Sequence, residues 1–163
     1  MKIEIRRVEP GDYKAVQQIF AQPNVLRGTL QVPFPSEEMW RKRLEGLGDD
    51  RYQLVACIEG EIVGMGGFDL FPASPRRRHA GYVGLIVDEK WHAKGVGTAI
   101  MKALLDVADK WLNLSRLELT VFIDNEPAVK LYKKLGFAIE GTHKKYAFRD
   151  GEFVDCYVMA RVR

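Results

Sequence analysis

Apolar and charged positions alternate loosely over residues 2–8, with Ile3, Ile5 and Val8 set among charges, and predict an opening strand. The period then lengthens. Tyr13, Val16, Ile19 and Phe20 fall on one face of a helix over residues 10–21, which Pro23 ends. Residues 24–35, NVLRGTLQVPFP, mix a glycine and two prolines with apolar side chains and predict no regular helix. Ser36 reads as an N-cap, and Glu37 and Glu38 complement the dipole of a second helix carrying Met39, Trp40 and Leu44. Residues 52–58 and 62–71 read as strands joined by the tight turn Glu59-Gly60-Glu61.

The pattern is most pronounced over residues 82–112. Val83, Leu85, Ile86 and Val87 form a β-branched and apolar run that predicts a buried strand. Val96, Ile100, Ala103, Leu104, Val107, Ala108 and Trp111 recur every three or four residues, as on one face of a helix. A further strand over residues 117–123 leads to Asn125, a good N-cap, and Pro127, suited to a first helical turn. Strands over residues 137–148 and 152–161 flank the hairpin signal Asp150-Gly151. The order β-α-α-β-β-β-α-β-α-β-β predicts a single α/β domain over residues 1–163, with a mixed sheet of about seven strands.

Composition narrows the function. A hydrophobic share of 47% and a charged share of 29% over 163 residues are the balance of a soluble globular domain. The net charge of +3 suits a small anionic ligand and falls short of a nucleic-acid signature. No apolar run approaches the ~20 residues that span a membrane, and the amino terminus lacks a signal-peptide core. Cys57 and Cys156 sit in apolar runs and read as small buried hydrophobes in a reducing cytoplasm.

Between the central strand and helix stands Lys94-Gly95-Val96-Gly97-Thr98, whose glycines leave backbone amides uncovered at a helix start, where an anion can sit. A P-loop would need a lysine between Gly97 and Thr98, and a dinucleotide fingerprint would need glycine at Ile100. The Gly-x-Gly alone is equally a plain strand-to-helix turn. A second stretch changes this: Asn125, Ala128, Tyr132 and Gly136-Phe137, after the strand over residues 117–123. With His92-Ala93-Lys94-Gly95-Val96-Gly97 it resembles motifs A and B of the GCN5-related N-acetyltransferase (GNAT) superfamily. The predicted element order is also that of the superfamily. TLQVPFPSEEMW, QLVACIEGEIVG, LELTVFIDNEPAVKLYKKLGF and IEGTHKKYAFRDGEFVD resemble its bacterial L-amino-acid N-acetyltransferase branch, as does the terminal MARV.

The resemblance implies a GNAT fold whose fourth and fifth strands splay apart to admit acetyl-CoA as co-substrate, with no metal. The diphosphate falls to His92, Ala93, Lys94, Gly95, Val96, Gly97 and Thr98, with Asn125, Ala128 and Tyr132 across from it. His92 departs from the family's Gln or Arg, exchanging a permanent donor for one whose charge follows pH. The pantetheine arm is expected to pair with backbone at Ile86 and Val87, beside a bulge at Gly84. Tyr132 is expected to protonate the leaving thiolate, and is otherwise a core aromatic. Glu118 is the candidate base, acting through water; the equal reading is a carboxylate on the solvated sheet face or paired with an arginine.

The apolar segment over residues 24–40 is either buried packing or the wall of the acceptor site, with Leu30, Val32, Phe34 and Trp40 as lining. Arg76, with Arg77 and Arg78, would hold a substrate carboxylate or a CoA phosphate, the other reading of that run being a solvated approach to a strand; Arg27 is a further candidate for the carboxylate. Together these features predict a cytoplasmic N-acetyltransferase acting on a small primary amine, first a free amino acid. A protein amino terminus, a polyamine or an aminoglycoside is the alternative acceptor, and a silent acyl-CoA-binding module the alternative class. No nucleic-acid or membrane partner is expected, and a homodimer is left open.

Overall fold

The computed structural model describes residues 1–163. The opening alternation forms strand β1 (Glu4–Arg7), followed by helices α1 (Tyr13–Phe20), α2 (Pro23–Arg27) and α3 (Glu37–Glu45). Strands β2 (Arg51–Ile58), β3 (Glu61–Leu70) and β4 (Ala80–Val87) precede helix α4 (Val96–Lys110). Strand β5 (Arg116–Phe122), helix α5 (Glu126–Lys134) and the hairpin β6 (Ala138–Arg149) and β7 (Glu152–Val162) complete the chain. Two expectations change. Pro23 opens a short helix as well as ending one, because a first-turn residue has no use for an N–H. Trp111 leaves the predicted helix face and is exposed, since the chain turns out of α4 there and Leu114 is buried instead.

The sheet runs β1-β2-β3-β4-β5-β7-β6, antiparallel throughout except between β4 and β5. That parallel contact is brief: Ala80, Gly81 and Tyr82 pair with Arg116, Leu117 and Glu118, and then the strands part. Each stays held on its other side, β4 by β3 as far as Val87 and β5 by β7 as far as Phe122. The bulge expected at Gly84 is absent, for the β3–β4 register passes through it unbroken. A side chain sits at the fork instead. The Tyr82 hydroxyl lies 2.5 Å from Thr120 Oγ1 and accepts a hydrogen bond from the Thr120 amide at 3.3 Å. It thereby satisfies backbone that β4 no longer reaches.

Period-two alternation gives the two sheet faces different cores. Leu117, Leu119 and Val121 join Val96, Ile100 and Leu104 of α4 in the larger cluster. On the opposite face Val16, Phe20, Trp40 and Leu44 form a small cluster against Met65 and Ile86. The gap between β4 and β5 therefore lies between two anchored helical layers. Cys57 and Cys156 are both free and buried.

Candidate functional site

The fork opens into one cavity of about 1230 Å³. It extends from the amino end of α4, along the free edge of β4 and past α5, to Trp40, Leu44 and Leu47 on the opposite face. At the α4 end, Gly95 has φ +86° and Ala93 φ +58°, which turns the chain sharply into the helix. The amides of Ala93, Gly95, Val96, Gly97 and Thr98 meet no acceptor within the protein, so five donors converge at the positive end of the helix. A Cβ on Gly95 would meet nothing within 4 Å, whereas one on Gly97 would lie 3.3 Å from Leu131 and 3.4 Å from Leu85. Gly95 thus keeps space open, and Gly97 lets the helix end approach its neighbours. An anionic diphosphate fits this donor set.

Two of the expected contacts there are otherwise engaged. His92 donates its Nε2 hydrogen to the Val87 carbonyl at 2.8 Å, tying the turn to the end of β4. Lys94 lays its ammonium 4.9 Å over the Trp91 ring and does not line the cavity, while Lys130 and Lys134 do. The backbone of β4 also sorts differently from expectation. Asp88 donates its amide to the Val63 carbonyl, and antiparallel pairing alternates, so Ile86 turns its N–H and C=O toward β3. Leu85 and Val87 turn theirs toward the gap. Ile86 lines the cavity, but the gap-facing backbone beside it is that of Leu85, an alternation the strand period itself carries.

Asn125 caps α5 by accepting the Ala128 amide at 3.3 Å, and both residues line the cavity. Two turns on, Tyr132 is buried at 7% exposure, packs against Phe137 and also lines the cavity. Burial, and secondarily Tyr82, push its pKa up to about 12. Its hydroxyl has no hydrogen-bond partner in the protein.

Glu118 has the second of its two readings. Its carboxylate accepts from Arg77 at 2.9 Å and from Arg116 at 2.7 Å, and it does not line the cavity. The Arg77 hydrogen bond, then that of Arg116, holds its pKa below the usual glutamate value. A carboxylate so occupied is a poor proton acceptor.

At the acceptor end Leu30 and Trp40 line the cavity as expected, but Val32 and Phe34 do not. They are 77% and 98% exposed, because Phe34 takes φ +61° and carries this part of the loop outward. Arg76 does not line the cavity either; Arg77 is held by Glu118, and Arg27 pairs with Asp150. The cations that do line this end are Arg43 and Arg51, with Asp69, Tyr82, Thr120 and Met65 nearby. Arg43 was not singled out in the sequence; its position three residues after Trp40, on the same side of the helix, was the available signal.

Residues 14–137 match the model of the acetyltransferase (GNAT) family. The L-amino acid N-acetyltransferase AaaT of Escherichia coli K12 is 51% identical over 162 residues, 99% of each chain. The crystal structure of a GNAT-family acetyltransferase from Streptococcus pneumoniae superposes with a TM-score of 0.82 at 26% identity, covering 99% of this chain and 100% of that one. A phosphinothricin acetyltransferase from Sinorhizobium meliloti, solved in complex with AcCoA, superposes with a TM-score of 0.87 at 22% identity, covering 99% of this chain and 89% of that one.

Proposed function

Because the chain belongs to the acetyltransferase (GNAT) family and is an acetyl-CoA-dependent N-acetyltransferase, we propose that it acetylates the α-amino group of free L-amino acids with apolar side chains. The observation that carries this reading is the composition of the acceptor end: Trp40, Leu44, Leu47 and Met65 beside two arginines, with Asp69 the sole lining carboxylate and already beside Arg51. A polyamine would ask for several acidic groups there. The 51% identical relative is itself named for L-amino acids. Two free buried cysteines, and the lack of any helix long and apolar enough to cross a membrane, fit a cytoplasmic setting.

In this reading the amides of Ala93 and of Gly95 to Thr98 bind the diphosphate, and the gap-facing backbone of Leu85 and Val87 pairs with the pantetheine amides. The Val87 carbonyl is already taken by His92, leaving the Val87 N–H and both groups of Leu85 for the arm and the thioester oxygen. The neutral amine attacks the thioester carbon, the C–S bond breaks, and the amine's surplus proton passes to water. Tyr132 donates a hydrogen bond to the departing sulfur. With a pKa near 12 against about 8.5 for a thiol, the hydroxyl stabilises the thiolate without giving up its proton completely.

The test is a kcat/KM comparison, by release of free CoA thiol, among L-leucine, L-methionine, L-phenylalanine, spermidine and a peptide amino terminus. The amino acids are expected to lead. A faster rate with spermidine or the peptide would overturn this choice of acceptor.

A further inference from the structure

We propose that Arg43 binds the acceptor's carboxylate and so makes the enzyme select amino acids over the corresponding amines; this rests on the amino-acid reading above. Of the two arginines at the acceptor end, Arg51 places its Nε 3.5 Å from the Asp69 carboxylate, which offsets its charge. Arg43 forms no ion pair with any carboxylate of the protein. One Nη donates to the neutral Gln31 Oε1 at 2.8 Å, and Cζ lies 4.9 Å from the centre of the Trp40 ring. These contacts fix the guanidinium from two sides and leave its charge, and most of its N–H groups, uncommitted.

The placement also fits the chemistry. Trp40 is stacked on Phe20 at 4.3 Å, within the cluster that touches Met65 and Ile86, so Arg43 stands one ring away from β4. A planar carboxylate meets the guanidinium fork with two parallel hydrogen bonds, and an apolar side chain lies over Leu44 and Leu47. A decarboxylated amine leaves the fork empty. A polyamine brings its own positive charge toward it.

The experiment compares L-leucine, L-methionine and L-phenylalanine, each with its decarboxylated amine, on the wild type and on Arg43→Ala, Arg43→Lys and Arg51→Ala. Retention of the acetyl-CoA-induced rise in melting temperature shows that each variant folds. Arg43→Ala is expected to lower kcat/KM for the amino acids by about 10- to 100-fold, through KM, and to remove their advantage over the amines. Arg43→Lys, keeping the charge but not the fork, is expected to fall between. Equal losses on acid and amine would reduce Arg43 to a support for Trp40 and overturn the proposal. So would a selective loss in Arg51→Ala with none in Arg43→Ala. A wild type that turns over amines but no amino acid would overturn the acceptor reading itself, and this inference with it.

Discussion

Tyr132 has the most to lose from a single atom. Removing its hydroxyl in Tyr132→Phe keeps the ring against Phe137, so the core and acetyl-CoA affinity should persist while kcat drops about 10- to 100-fold. Single-turnover rates and acetyl-CoA titrations check the two halves of that statement; an unchanged chemical rate would return Tyr132 to the core. The raised pKa has a sign: the phenol keeps its proton throughout the working range, so it imposes no loss of rate below about pH 10. Glu118, held below the usual glutamate value, imposes no rise near neutrality. The pH profile should therefore rise once, with the amine's own deprotonation near pH 8 or above, and move when an acceptor of different basicity is used. A limb that stays fixed across acceptors would reveal a base on the enzyme. Tyr132 and Asn125 were singled out by the family motif they resemble; local spacing adds only that they lie two turns apart on one helix. Arg51 was hidden because a cation's partner depends on which distant segment it meets, and Arg43 showed only its spacing from Trp40.

The amino end of α4 depends on one backbone conformation. Gly95→Val forces a β-branched residue into φ +86°, at a strain of order 1–3 kcal/mol, and puts methyl groups where the five amides converge. Acetyl-CoA should then no longer raise the melting temperature, a shift worth about 2.7 kcal/mol at 100 times Kd in the unmodified protein. Gly84 offers a second probe on a different element. A Cβ there meets nothing within 4 Å, and the residue lines the cavity, so Gly84→Val should fold yet cut kcat/KM by about 100-fold. The order of the elements was legible because strand and helix periods differ and because Ser36, Asn125 and Asp150-Gly151 punctuate them. The loop over residues 28–35 was not. Its apolar content left buried packing and a pocket wall equally open, and Phe34 at φ +61° turns its tip outward instead; a positive φ in a non-glycine residue leaves no mark in composition.

At the scale of the whole molecule, several carboxylates are held low by arginines: Glu118 by Arg77 then Arg116, Glu140 by Arg116, and Asp109 by Arg161. A depressed folded pKa stabilises above the unfolded value near 4 and is lost as pH falls through the folded value. The melting temperature should be level from pH 6 to 8 and fall below about pH 4, and Glu118→Gln should lower it at pH 7 while flattening the acid limb. Scanning fluorimetry across pH measures both. The brief meeting of β4 and β5 has a mechanical consequence. Three residue pairs join a four-stranded half-sheet to a three-stranded one, and beyond them the seam is unlaced. A pantetheine arm laid along Leu85 and Val87 would lace it, and the molecule would then be stiffest when charged with its donor and loosest after CoA leaves. Amide hydrogen exchange at those two residues should slow on adding acetyl-CoA, and each turnover would then be one cycle of tightening and release across the middle of the sheet.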